Sequence, residues 1–219
     1  MRNIHAVLFD MDGLLINTER VNVECAQAAA REWGFEIDGV AMARTVMGLT
    51  RERVLSAYAK LLPDGMDAEA FYRFKVEKIM QRRAVEGIRP MKGAKELLEW
   101  LNGQGIACVL VTSTAREGAE RTLRELGMWE LLPCRITGDM LTRSKPDPEP
   151  YLRAAELANV DPARCLVLED SLNGLRSGRA AGCVTGMVPD TLPYSEECAP
   201  YCDQVFEDLN AVRRWMEEK

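Results

Sequence analysis

The sequence predicts an α/β fold built on a parallel sheet, and three observations predict it. Short apolar or β-branched runs recur at residues 5–10, 106–112, 134–137, 164–168, 183–188 and 204–206. They read as strands buried on both faces, the pattern of a parallel sheet rather than a half-solvated antiparallel one. Amphipathic helical patterns separate them, which implies right-handed crossovers. One stretch, residues 17–87, breaks this rhythm with helical patterns and no convincing strand.

Each element has its own signal. Residues 5–10 (HAVLFD) climb out of the N-terminus as an apolar run. In the insert, residues 18–33, 51–62 and 67–85 read as helices, the second opened by Thr50. Met42, Met47 and Met80 are expected in the core of that insert. Gly87, Pro90 and Gly93 mark the return as a hinge. Residues 95–104 (KELLEWLNGQ) are amphipathic. Residues 115–126 follow Thr114, with Glu117 three places on as a capping box, and stop before Gly127. Residues 148–159 follow Asp147 as N-cap, with Pro148 at the first helical position. Residues 171–181 end at Gly182.

Composition narrows the function. With 28 basic and 34 acidic residues the net charge is −6, which disfavours nucleic acid or an anionic membrane as partner. No apolar run approaches the roughly 20 residues of a membrane span, and the start does not read as a signal peptide. Seven cysteines without a Cys-x-x-Cys fit reduced thiols in the cytoplasm. Cys198 and Cys202, four apart, are a weak metal or disulfide signal. The single histidine, His5, excludes His catalysis and a multi-His metal site, so carboxylates, hydroxyls, lysine, arginine or cysteine must carry any chemistry.

Ligands of an open parallel sheet bind beyond the carboxyl ends of its strands. Four polar clusters fall there: Asp10 and Asp12; Ser113 and Thr114; Lys145; and Glu169 and Asp170. Four carboxylates against one lysine would repel an anion. A divalent cation relieves that, and hard oxygen donors point to Mg²⁺. Ser113, the amides opening the helix after Thr114, and Lys145 make an anion cradle. A cation site beside an anion cradle describes a phosphoryl centre. Asp10 is then the nucleophile and Asp12 the acid and base, with Asp170 on the metal and Glu169 on it or on its water. Taken singly, each cluster also has a plain reading as a turn, a cap or a solvated lysine.

These stretches resemble the haloacid dehalogenase superfamily over nearly the whole chain. FDMDGLL resembles its first motif, VTST its second, the lysine of SKPDPEPY its third and VLEDSLNGL its fourth. The likeness is greatest to the subgroup of β-phosphoglucomutase and the sugar-phosphate phosphatases. It implies a Rossmann-like core, residues 1–16 and 88–219, with an inserted helical cap domain, residues 17–87. It also implies phosphate ligation by Ser113, Thr114 and Lys145. Mg²⁺ is then bound by Asp10, the Asp12 carbonyl and Asp170, with Glu169 close by. Asp12 sets the chain apart from true dehalogenases. Asn22 stands twelve residues past Asp10, where the mutases place a histidine, and Arg51 where the phosphonoacetaldehyde hydrolases use a lysine. A phosphatase of small phosphorylated metabolites is therefore expected, monomeric or weakly dimeric. The rivals are a phosphomutase or phosphotransferase and a non-enzymatic metabolite-binding regulator. Arg51, Glu19, Asn22 and Arg116 are the candidate substrate contacts.

Overall fold

The computed structural model describes residues 3–46, 49 and 51–218. Thr50, Met47 and Gly48 lie outside the described residues. Six parallel strands, β1 (Ala6–Phe9), β2 (Ala107–Val111), β3 (Cys134–Ile136), β4 (Cys165–Glu169), β5 (Val184–Met187) and β6 (Gln204–Val205), form one sheet in the order 3-2-1-4-5-6. Residues of β1 alternate between two layers. Val7 and Phe9 join one apolar cluster with Leu97, Leu101 and Val212, and Ala6 and Leu8 join another with Tyr151 and Ala154. That period-2 division explains why the strand is apolar throughout and wholly buried.

Around the sheet lie α5 (Ala94–Gly103), α6 (Arg116–Glu125), α7 (Glu149–Ala158), α8 (Leu172–Ala180) and α9 (Leu209–Glu217). Between β1 and α5 run α1 (Thr18–Glu32), α2 (Gly39–Val46), α3 (Arg51–Leu61) and α4 (Ala68–Glu86). These four share an apolar cluster of Ala26, Ala30, Met42, Val54, Tyr58 and Phe71. Phe71 packs in T-shaped contacts with Trp33 and Tyr58, ring centroids 5.5 and 5.6 Å apart. Met42 is in this core as expected, but Met80 is 49% exposed. The two chain crossings into the insert pair with each other: Asn17 N donates to Arg89 O and Met91 N to Leu15 O.

Two expected caps differ. Thr114 does not cap α6. The helix begins after Ala115, and the Asp139 carboxylate accepts from Arg116 N at 2.9 Å. Helix α7 begins one residue later than expected, with Pro148 before it and the Asp147 carboxylate accepting from Glu149 N. Helices α2 and α9 were not read from sequence. Asp38 and Asp208 accept from their opening amides. Among the described residues no helix is long and apolar enough to cross a membrane.

Candidate active site

The register of the central strands builds the site. Phe9 pairs with Leu110 on one side and Leu168 on the other. The carboxyl ends of β1, β2 and β4 are thus level, and the next residue on β1, Asp10, sits between β2 and Glu169 of β4. The strand order reverses direction about β1, so this rim is the topological switch point where open α/β sheets bind ligands.

Lys145 holds the centre together. It is 1% exposed, and its ammonium donates to Asp10 Oδ1 at 2.5 Å, Glu169 Oε1 at 2.6 Å and the Val111 carbonyl at 3.1 Å. Burial works against its charge, but Asp10 and Glu169 outweigh it and hold the amine above its ordinary range. Glu169 is fully buried. Its Oε1 also accepts from Tyr151 Oη at 2.7 Å, and its Oε2 accepts from Ser171 Oγ at 2.9 Å. Gly174, in the first turn of α8, leaves the room this carboxylate occupies. A Cβ there would fall 1.8 Å from Glu169 Cδ.

Asp12 is tied differently. Thr18 Oγ1, at the start of α1, donates to Asp12 Oδ1 at 2.6 Å, and Thr114 Oγ1 donates to Asp12 Oδ2 at 2.9 Å. This is where the Thr114 hydroxyl goes instead of the helix cap. Asp10 and Asp12 therefore have separate partners: one an ammonium, the other two hydroxyls.

The cation site can be tested on the donors themselves. Asp10, Glu169 and Asp170 each offer an oxygen within 4.8 Å of the others. Asp170 Oδ2 is buried and has no hydrogen-bond partner, which is costly for a carboxylate. Gly13, at φ +86°, keeps the space beside it open, since a Cβ would lie 2.0 Å from that oxygen. Burial pushes Asp10 up to about 8, with Lys145 opposing and Glu169 adding. Burial, Glu169 and Asp10 push Asp170 well above the carboxylate range. A divalent cation among them would restore their charged forms. All donors are hard oxygens, which fits Mg²⁺.

A cavity of about 490 Å³ opens over Asp10 and Asp12 and runs among α1–α4. Ser113, Thr114 and Asp170 line its floor, and Glu19, Asn22 and Arg51 its insert side. Arg51 also pairs with Glu69 and lies 5.5 Å over the Tyr72 ring. Arg116 is not brought to the cavity. Its guanidinium is 3.9 Å from Glu120 on its own helix. Sequence reasoning missed Lys75, which lines the cavity from α4 at 7% exposure. Its ammonium donates to Tyr58 Oη at 3.2 Å and sits over the Tyr58 and Tyr72 rings. Burial pulls it below its ordinary range. Facing the same cavity, Glu19 is pushed up to about 8 by burial and the Asp12 charge. Thr18 and Tyr151 were missed as well. All seven cysteines are free thiols, and Cys202 Sγ donates to Gln204 O.

Residues 7–188 match the sequence profile of the haloacid dehalogenase-like hydrolases. The chain belongs to that family. Among its relatives, a phosphorylated carbohydrates phosphatase of Thermotoga maritima is 32% identical over 181 residues, 82% of each chain. The N-acetylmuramic acid 6-phosphate phosphatase of Pseudomonas aeruginosa is 34% identical over 186 residues, 84% of this chain and 81% of that one. The crystal structure of CbbY from Rhodobacter sphaeroides in complex with phosphate superposes with a TM-score of 0.76. It is 26% identical and covers 95% of this chain and 96% of that one. The four clusters quoted from the sequence all lie within the matched span.

Proposed function

We propose that this family member is a Mg²⁺-dependent phosphatase that hydrolyses a small phosphate monoester, a sugar phosphate in particular, through an aspartyl-phosphate on Asp10. One observation carries the reading. The carboxylate at the end of the central strand is gripped by a buried lysine at 2.5 Å, while a second carboxylate two residues on faces the same cavity with different partners. That pairing supplies a nucleophile and a separate proton carrier.

In the first half-reaction Asp10 Oδ attacks phosphorus and the bond to the alcohol oxygen breaks. Asp12 gives that oxygen its proton. In the second, Asp12 takes a proton from water, and the water oxygen displaces Asp10 from phosphorus, releasing inorganic phosphate. Thr18 and Thr114 fix the Asp12 carboxylate for both transfers. Lys145 and the Ser113–Thr114 turn offset the charge of the phosphoryl oxygens. Asp10, Asp170 and the Asp12 carbonyl, with Glu169 nearby, would hold Mg²⁺, which would supply charge neutralisation for the transfer. We assign residues 17–87 to a cap domain that selects the leaving group and residues 1–16 and 88–219 to the core. Seven free thiols fit a reducing cytoplasm.

A panel of phosphorylated metabolites scored for released phosphate with Mg²⁺ tests this. Turnover should vanish in Asp10→Asn. Retained activity would eliminate the nucleophile, and an isomerised sugar in place of phosphate would make the protein a mutase.

A further inference from the structure

We propose that Tyr151 is a positioning residue for phosphoryl transfer: its hydroxyl, bonded to Glu169, keeps the Lys145 ammonium reaching Asp10. The inference rests on the reading of Asp10 as the phosphoryl acceptor.

Tyr151 lies on α7, with its side chain fully buried in the layer beneath the sheet. Packing alone accounts for a ring there, but not for a hydroxyl. The hydroxyl donates to Glu169 Oε1 at 2.7 Å, the same oxygen that accepts from Lys145 at 2.6 Å. Lys145 has three N–H donors, and three acceptors take them: Asp10 Oδ1, Glu169 Oε1 and Val111 O. Two carboxylates therefore compete for one ammonium. The carboxylate with fewer other donors pulls harder. Glu169 Oε2 is already served by Ser171 Oγ and by the amides of Asp170 and Ser171 at 3.2 and 3.3 Å. Tyr151 serves Oε1. With both oxygens supplied, Glu169 is a satisfied anchor rather than a rival to Asp10. The Tyr151 ring also lies 5.2 Å from the Lys145 nitrogen and closes the space on that side.

Removing only the hydroxyl leaves Oε1 with Lys145 as its one donor. The ammonium then shifts toward Glu169 and away from Asp10, where the phosphate charge arrives. A buried hydrogen bond to a charged group is among the stronger ones a side chain makes, so the shift should be visible in turnover.

The test uses the full chain with Mg²⁺ and the Tyr151→Phe variant, which keeps the ring. Three quantities are read: kcat on p-nitrophenyl phosphate and on a sugar phosphate, the affinity for inorganic phosphate by calorimetry, and the Mg²⁺ concentration for half-maximal rate. The expected result is a loss of about tenfold in kcat on both substrates. Phosphate binding should weaken and the Mg²⁺ requirement should stay within about twofold. Phosphate affinity is then compared between Glu169→Ala, which removes the acceptor of the Tyr151 hydroxyl, and the Glu169→Ala/Tyr151→Phe double variant. The two should match, because the hydroxyl acts through Glu169. An equal loss of affinity in both backgrounds would assign the hydroxyl to packing and overturn the proposal. So would an unchanged kcat and phosphate affinity, or an effect confined to the Mg²⁺ requirement. A chain that bound phosphate but released none from any ester would remove the phosphatase reading. The binding comparison would still decide the role of Tyr151.

Discussion

Replacing Gly174 with alanine sets a helix preference against a buried ion pair, and magnitudes decide which wins. Gly174 is helical and outside the positive-φ glycines, so backbone conformation does not require glycine there. Alanine in a helix interior gains roughly 0.5–1 kcal/mol over glycine. The new Cβ would lie 1.8 Å from Glu169 Cδ and 1.9 and 2.3 Å from its oxygens. Glu169 cannot yield cheaply, because Lys145, Tyr151 and Ser171 hold it from both ends of the carboxylate. Breaking a buried pair costs about 3–5 kcal/mol, since the partner charge is left uncompensated. The net is a loss of about 2–4 kcal/mol, or roughly 4–16 °C in Tm for a chain of this size. Thermal unfolding measures the loss, and kcat should fall with it because Lys145 loses an anchor. Gly103→Ala is the control: nothing lies within 4 Å of a Cβ there, so Tm should hold or rise slightly. A Gly174→Ala protein with undiminished Tm and kcat would refute both the crowding argument and the view of Glu169 as an anchor.

The remaining predictions concern single side chains. Asp12→Asn should slow hydrolysis of alkyl phosphates by about 10²–10⁴-fold but p-nitrophenyl phosphate far less, since nitrophenolate leaves without a proton; equal losses would remove the acid role. Lys75→Met should raise KM for sugar phosphates and leave p-nitrophenyl phosphate turnover near wild type, and without loss of stability, because the ammonium it removes is buried against a hydroxyl and two rings. A comparable loss on both substrates would place Lys75 outside the leaving-group site. Asp208 gives a pH test. Its Oδ2 pairs with Lys92 at 2.7 Å and its Oδ1 caps α9, and Lys92 holds its carboxyl below the ordinary 3.8. A depressed carboxyl stabilises the fold above its unfolded pKa and loses that contribution as pH falls through the folded value. Asp208→Asn keeps a capping oxygen, so its Tm deficit should persist at neutral pH and close below 3.8; a deficit unchanged in acid would exclude the ion pair as its source.

The central strands β1, β2, β4 and β5 were legible because burial on both faces leaves little polar alternation to confuse the pattern, as AVLF in β1 shows. The acidic clusters were legible for a related reason: Asp10, Asp12, Glu169 and Asp170 follow apolar runs directly and have no packing role there, whereas Lys145 lies nine residues past β3 and was legible through its place in the order of motifs. What sequence spacing misled was the destination of hydroxyls. Thr114 followed by Glu117 satisfies a local capping rule, yet its hydroxyl goes to Asp12 and the cap comes from Asp139, 23 residues away. No window along the chain contains that competition. Helix α9 was the opposite case. Asp208 before Leu209, Val212 and Met216 is an ordinary start signal, and it was available.

Lys75 and Tyr151 were missed for a deeper reason, which bears on how such sites work. In FYRFKVEKIMQRR a lysine reads as one of several solvated charges, and in SKPDPEPY a tyrosine reads as core. Their roles depend on what else is buried within a few ångströms, which is set by the fold and not by neighbours in the chain. The carboxylates proposed for catalysis, Asp10 and Asp12, are legible because such chemistry would be intrinsic to the residue type. Control over their charge comes from residues whose types carry no such mark. Asp10 stands under the opposing influences of burial, Lys145 and Glu169. Lys145 in turn stands between Asp10 and a Glu169 that Tyr151, Ser171 and the space at Gly174 hold in place. Substitutions in this supporting set should therefore change rate without changing the reaction, whereas substitutions at Asp10 should end it.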